Sequence, residues 1–259
     1  MLRRILVIGI GAGDPEHITV QAVNALNRTD VVFVVVKGSE TRELVELRRQ
    51  ICERYIDHPG YRWVEIPDPA RDRSASSHRA AVADWRRERA AIWERVIRDE
   101  LSEAEQGAFL VWGDPSFYDS TLAVLEEIAA PAALELEVEV IPGISSIQAL
   151  AAQNRLSLTR VGQPVLITTG RQLAKGLPGA ADDVVVMLDA NCAFREVAKA
   201  DTQIYWGAYV GTDDEILISG RVADVGEEIA ERRSQARERK GWIMDTYLLR
   251  KSPDSGDPV

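Results

Sequence analysis

Residues 4–15 read Arg4-Ile5-Leu6-Val7-Ile8-Gly9-Ile10-Gly11-Ala12-Gly13-Asp14-Pro15, a branched apolar run that ends in three spaced glycines and an Asp-Pro. A run that is apolar at every position, and not at alternate ones, is what a strand covered on both faces requires. The glycines then let the chain turn sharply into a helix, whose periodicity spans roughly Thr19 to Arg28. The same unit recurs. Strands are expected at Arg4 to Ile10, Val31 to Val36, Trp63 to Ile66, Ala108 to Trp112 and Glu135 to Ile141. Helical patterns lie at Glu40 to Tyr55, Ser77 to Glu105, Ser116 to Ala129 and Ile144 to Ala152. Alternating strands and helices with right-handed crossovers make an open, doubly wound parallel sheet.

Residues 153–163 lose periodicity before Pro164 opens a new strand at Val165 to Thr169. Two α/β domains are therefore expected, over residues 1–155 and 160–250, with a polar tail at 251–259. In the second, strands are expected at Val184 to Leu188, Gln203 to Tyr209, Glu215 to Ser219 and Trp242 to Leu248, with helices at Ala193 to Lys199 and Val222 to Glu231. The short gap between the Gln203 and Glu215 strands indicates a hairpin and hence a mixed sheet.

Composition closes off several functions. The 259 residues carry 31 basic and 41 acidic side chains, a formal charge of -10, which argues against a nucleic-acid partner. No apolar stretch is of bilayer length. The start lacks a signal-peptide core and cleavage site, so a cytoplasmic protein is expected and no membrane partner. Two cysteines and three histidines make neither a disulfide framework nor a zinc site, and no metal is expected.

Three segments could carry chemistry. Gly9 to Pro15 is not a dinucleotide fingerprint: its third glycine comes one position early, and the second strand ends Val36-Lys37-Gly38 with no acid for a ribose. The alternative is a tight strand-to-helix turn with no ligand. Gly113-Asp114-Pro115-Ser116-Phe117-Tyr118-Asp119-Ser120 follows the fourth strand, where Asp114 either faces a ligand at the carboxyl edge or merely caps a turn. Pro142-Gly143-Ile144-Ser145-Ser146 follows the fifth strand and leads into a helix whose first turn has free N–H groups and two hydroxyls. All three lie at the carboxyl ends of strands of one sheet.

In this order and spacing, the G-x-G-x-G-D-P turn with Ile18-Thr19-x-x-Ala22, the G-D-P-x-x-Tyr segment and the P-G-Ile-Ser-Ser segment resemble the tetrapyrrole (corrin/porphyrin) methyltransferases of cobalamin and siroheme synthesis. The resemblance runs from Arg4 to about Leu249. It implies two α/β domains with a cofactor cleft between them, the class III methyltransferase architecture. It also implies S-adenosylmethionine as cofactor, S-adenosylhomocysteine as product, a carboxylate-rich tetrapyrrole as substrate, and a homodimer. Residue by residue it assigns the cofactor to Ala12, Gly113, Asp114, Phe117, Ser145, Ser146, Leu188, Tyr209, Thr212 and Trp242. The sequence departs from the usual pattern at Ala12, Trp112 and Glu215. The residues 112–119, the Arg-rich insert and the run Trp206 to Thr212 are most similar to the branch that methylates C1 of a corrin precursor with release of acetate. Another ring carbon, or a binding protein without turnover, is the alternative.

The insert ties this to charge. From Arg71 to Arg98 there are eight Arg against four acids, a local +4, and only five of the 31 basic residues are Lys. Guanidinium forks suit carboxylates. Arg71, Arg73 and Arg79 are the expected substrate contacts, whereas Arg86, Arg87, Arg89 and Arg95 read as a solvated helix face. Deacetylation needs a general base, expected among Asp119, Tyr118, Asp14 and His78.

Overall fold

The computed structural model describes residues 2–36, 42–69, 78–130, 134–177 and 181–251. The described side chains exclude those of residues 42 and 78–83, so Arg71 and Arg73 and the side chains of His78 and Arg79 lie outside them. Two compact units divide between Ser145 and Ser146.

The first unit holds five strands, β1 (Leu2–Gly9), β2 (Val31–Val36), β3 (Arg62–Pro67), β4 (Gln106–Val111) and β5 (Glu135–Ile141). They form one sheet in the order β3-β2-β4-β1-β5, every pair parallel. The helices are α1 (Val20–Leu26), α2 (Arg42–Tyr55), α3 (His78–Glu100) and α4 (Thr121–Ala129). Alternate residues of β1 feed two cores. Ile5 and Val7 pack with Phe33, Phe109, Trp93, Ile97 and Val124 under α3 and α4. Leu6 and Ile8 pack with Val32, Val34, Ala25, Leu26 and Cys52 under α1 and α2. That double burial is why the strands read as unbroken apolar runs. Trp93 stacks on Phe109, ring centroids 4.4 Å apart, and Phe109 on Phe33 at 5.2 Å.

The second unit opens on α5 (Ser146–Gln153) and continues through β6 (Val165–Thr169), α6 (Gly170–Leu173), β7 (Asp183–Met187), α7 (Phe194–Val197), β8 (Gln203–Ala208), β9 (Ile216–Arg221), α8 (Val222–Lys240) and β10 (Asp245–Arg250). Its sheet runs β6-β7-β10-β8-β9, with β6 and β7 parallel and the remaining pairs antiparallel. The β8–β9 neighbours are the hairpin read from the short gap. Val184, Val186, Tyr247, Leu249, Ile204 and Trp206 face Phe194, Ile229 and Ala236 in one core. The opposite face receives α5, which contacts β10 and β8. This is why the units divide before α5, ten residues ahead of the end of the first domain expected from loss of periodicity.

Several element ends differ from the expectations for local reasons. Helix α4 begins at Thr121 and not at Ser116, because Asp114 and Asp119 take the Ser116 and Thr121 N–H groups and hold residues 114–120 as turns. Helix α8 runs nine residues past Glu231, through good helix formers, to Gly241 in the left-handed conformation at φ 76. That overrun delays β10 by three residues. Helix α6, only four residues long, was not expected at all.

Candidate functional site

At the carboxyl edge of the first sheet, the turns after β4, β1 and β5 stand side by side and bond to one another. The Ile10 N–H donates to the Val111 carbonyl at 2.9 Å, and Gly113 and Gly11 exchange N–H···O bonds of 2.7 and 3.3 Å in an antiparallel bridge. Asp114 joins the β4 turn to the β5 turn. Its Oδ1 accepts from the Ser116 N–H at 2.8 Å and from the Ser116 hydroxyl, and its Oδ2 accepts from the Gly143 N–H at 2.9 Å. Burial pushes this carboxyl up, yet the Ser116 hydroxyl and the Gly143 and Ser116 N–H groups outweigh burial and hold it below the ordinary aspartate value.

The glycines serve the same junction. A methyl group on Gly9 would sit 2.6 Å from the Gly143 nitrogen, and one on Gly143 would fall inside contact distance of the Gly113 carbonyl. Close approach of turn to turn therefore demands glycine at both positions. Ala12 is buried beside them. Asp14 caps the short 3-10 turn Pro15–His17, accepting from the Glu16 N–H at 2.8 Å. Thr19 caps α1 through the Ala22 N–H at 3.1 Å. Ser145 is buried and Ser146 starts α5.

Beyond Asp114, the β4 loop turns outward. Phe117 is half-buried, Tyr118 is exposed with φ 51, and Asp119 spends one oxygen on the Thr121 N–H at 2.6 Å. Ser120, next in line, occupies the helix N-cap without capping it. Its hydroxyl accepts instead from Arg89 Nη1 at 2.6 Å. Arg89 is 5% exposed, pairs with Asp68 at 2.9 Å, and lies 4.8 Å from the ring centres of both Trp85 and Trp93. Burial depresses its pKa, opposed by Asp68 and then Asp119. The expectation of a solvated face fails for Arg89, though it describes Arg87 and Arg95, which are exposed, Arg87 pairing with Asp84 on its own helix; Arg86 is half-buried. A signal was present: Trp85, Arg89 and Trp93 recur every four residues and so share one helix face with the core. Trp85 Nε1 also donates to the Pro69 carbonyl at 3.1 Å. Arg48 is a second missed group. Its Nε donates to the Leu110 carbonyl at 2.9 Å, at a level of β4 where pairing to β2 has ceased. Burial lowers its pKa, opposed by Asp119 and the Cys52 thiol.

In the second unit, Leu188 follows β7 with φ 54 and its side chain 65% exposed. Tyr209 follows β8 with φ 50, but its ring is buried at 2% exposure and its hydroxyl donates to the Trp242 carbonyl at 2.6 Å. Trp242 meets that ring edge-on at 4.9 Å. The Tyr209 carbonyl takes the Thr212 hydroxyl at 2.8 Å, and Glu215 accepts from the Gly211 N–H at 2.8 Å, so the β8–β9 turn is closed by its own side chains. Tyr118, Leu188 and Tyr209 are three of the five non-glycine residues with positive φ among those described, so backbone strain gathers at candidate positions. Among the described residues no group of three or more His, Cys, Asp or Glu could hold a metal ion, and no helix is long and apolar enough to cross a membrane.

The pattern that defines the Tetrapyrrole (Corrin/Porphyrin) Methylases matches residues 4–226, most of the chain. The chain belongs to that family. Among the methylases it is similar to the precorrin-6A synthase (deacetylating) of Sinorhizobium sp, 51% identical over 253 residues that cover 98% of this chain and 97% of the relative. A solved cobalamin synthesis related protein (CobF) from Corynebacterium diphtheriae has a TM-score of 0.84 at 37% identity, covering 97% of this chain and 99% of its own. The uroporphyrin-III C-methyl transferase of Thermus thermophilus, solved with S-adenosyl homocysteine, shares the fold at a TM-score of 0.56 and 18% identity, over 95% of this chain and 91% of that one.

Proposed function

We propose that this chain is an S-adenosylmethionine-dependent C-methyltransferase of cobalamin synthesis that methylates precorrin-5 at C1 and releases acetate, giving precorrin-6A. What carries the reading is its likeness to the Sinorhizobium synthase, 51% identical over 98% of this chain and 97% of the relative. A cytoplasmic homodimer is part of the same reading.

The cofactor is assigned to Ala12, Gly113, Asp114, Phe117, Ser145, Ser146, Leu188, Tyr209, Thr212 and Trp242. The donor set fits an amino acid joined to a nucleoside: backbone turns without side chains, two serine hydroxyls and one exposed apolar residue. Within it the roles differ. Asp114 serves by holding the β4 and β5 turns together, since both of its oxygens already accept bonds from the chain. Tyr209 serves through its buried ring, as a wall behind Trp242.

When bound, S-adenosylmethionine supplies an electrophilic methyl group on a sulfonium centre. The chain's part is orientation and exclusion of water, and orientation alone lowers such a barrier by about 7 to 11 kcal/mol. Deacetylation consumes water: its oxygen adds to the ring-attached acetyl carbonyl, acetic acid departs, and the electron pair left on the ring carbon receives the methyl. One proton of the water goes to a base and the other leaves with the acid. Asp119, Tyr118, Asp14 and His78 are the groups assigned to that base, and Asp119 and Asp14 each keep one oxygen outside the capping bond described above. Arg71, Arg73 and Arg79 are assigned to the substrate carboxylates.

Calorimetric titration with S-adenosylhomocysteine, followed by incubation with precorrin-5 and methyl-labelled S-adenosylmethionine, tests the reading. One labelled methyl per product supports it. Binding without turnover would identify a binding protein, and a labelled product that keeps its acetyl group would identify a methylase of another ring carbon.

A further inference from the structure

Leu188 stands in a conformation that an L-residue adopts only at a cost, φ 54, and its exposed side chain collects little packing in return. Such strain persists only where the surroundings over-determine it. Here they do. The next residue, Asp189, is 4% exposed; its Oδ1 accepts from the Asn191 N–H at 3.0 Å, and its Oδ2 from the Ala193 N–H at 2.7 Å and the Tyr247 hydroxyl at 2.6 Å. Arg233, reaching over from α8, donates to the Asp189 carbonyl at 2.7 Å and the Ala190 carbonyl at 3.2 Å, and pairs through Nε with Asp245 at 2.9 Å. The Trp206 indole donates to the same Asp245 oxygen at 3.1 Å. Gly170 lies so close that a methyl group there would overlap the Asp189 carboxylate.

This network is embedded in the apolar core of the second unit. Buried ion pairs are poor stabilisers beside hydrophobic residues of the same volume, because desolvation of both charges offsets their attraction. The fold alone gives little reason to keep four charged or hydroxylated side chains there. Their common product is the rigid turn 188–193, which projects one apolar side chain from the carboxyl end of β7.

We propose that Asp189, Tyr247 and Arg233 are positioning residues for cofactor binding: they fix Leu188 in its left-handed backbone so that its side chain forms one wall for the flat adenine ring. The inference rests on the S-adenosylmethionine reading above and adds residues that do not themselves touch the ligand.

The test is calorimetric titration with S-adenosylhomocysteine of five proteins: wild type, Leu188→Ala, Leu188→Gly, Tyr247→Phe and the double variant Leu188→Ala/Tyr247→Phe. Arg233→Met strips Asp245 of its ion-pair partner and leaves it only the Trp206 indole, which can unfold the unit, so Tyr247→Phe, which removes one hydroxyl and keeps the ring, is the decisive change. Affinity should fall about tenfold for Leu188→Ala and about threefold to fivefold for Tyr247→Phe. The double variant should be no weaker than Leu188→Ala, because a residue acting through Leu188 has nothing to position once that side chain is gone. Leu188→Gly should keep or raise Tm while losing affinity, since glycine relieves the strain. Unchanged affinity in Tyr247→Phe, or losses that add in the double variant, overturns the positioning role and leaves the cofactor reading intact. A wild-type protein that does not bind S-adenosylhomocysteine overturns both.

Discussion

Replacing Asp114 removes a side chain that joins the β4 turn to the β5 turn. Three donors point at it: the Ser116 N–H, the Ser116 hydroxyl and the Gly143 N–H. Bonds to a charged acceptor contribute about 1.5 to 3 kcal/mol when buried, but this carboxylate is half-exposed, so about 1 kcal/mol each is the appropriate scale. Asp114→Ala should then cost about 3 kcal/mol, lowering Tm by roughly 6 to 12 °C in a chain of this size. Asp114→Asn keeps an oxygen for Ser116 but turns an amide N–H toward the Gly143 N–H, so it should cost about half as much. Because the folded-state pKa is lowered, the contribution is complete above the unfolded aspartate value of about 3.9 and is lost as pH falls through the lower folded value. The gap in Tm between wild type and Asp114→Asn should be constant from pH 7 down to about 5 and narrow below about 4. Differential scanning calorimetry across that range, with S-adenosylhomocysteine titrated at pH 7, measures both effects. If Asp114→Asn matches wild type in Tm and in affinity, the carboxylate is not what organises the turns.

Gly143→Ala should fail to fold or lose Tm by more than Asp114→Ala, because the new methyl meets backbone carbonyl and not a side chain that can swing away; an ordinary melting curve would refute the packing argument. Arg89→Met or Asp68→Asn alone should destabilise by about 3 to 5 kcal/mol, each removing one member of a buried ion pair, while Ser120→Ala should cost about 1 kcal/mol or less; chemical denaturation separates the two cases. For the insert, a double change of Arg71 and Arg73 to Ala should raise the substrate KM without altering S-adenosylhomocysteine affinity, and the effect should shrink with added salt. An unaltered KM at low salt would place the substrate elsewhere.

What was legible in the sequence follows from the range of the forces involved. The unbroken apolar runs of β1, β2 and β4 state directly that both faces of the sheet are covered, and the mixed second sheet follows from the length of one hairpin gap. Gly113, Asp114, Gly143 and Ser145 are found because turn chemistry is local. Their bonding to one another is not, since it depends on which strands lie adjacent: β1 sits between β4 and β5, an order that only the crossovers determine. Arg89 departs from the solvated face expected of its helix because charge alone does not register the four-residue recurrence of Trp85 and Trp93. The Asp189 network had no signal to read. Its partners Arg233 and Tyr247 lie 44 and 58 residues further along the chain, and neither spacing is a repeat of any regular element. The end of α8 illustrates the opposite fault: helix formers continue to Lys240 with Gly241 as the stop, and the expectation ended too soon.

The most direct test of the account is the stoichiometry of acetate released to methyl transferred when the purified protein turns over precorrin-5 with S-adenosylmethionine. A deacetylating methyltransferase gives one acetate for each methyl, both following the same time course and both absent when either substrate is left out. Methyl transfer with no acetate would contradict the proposed reaction while leaving the family and fold untouched.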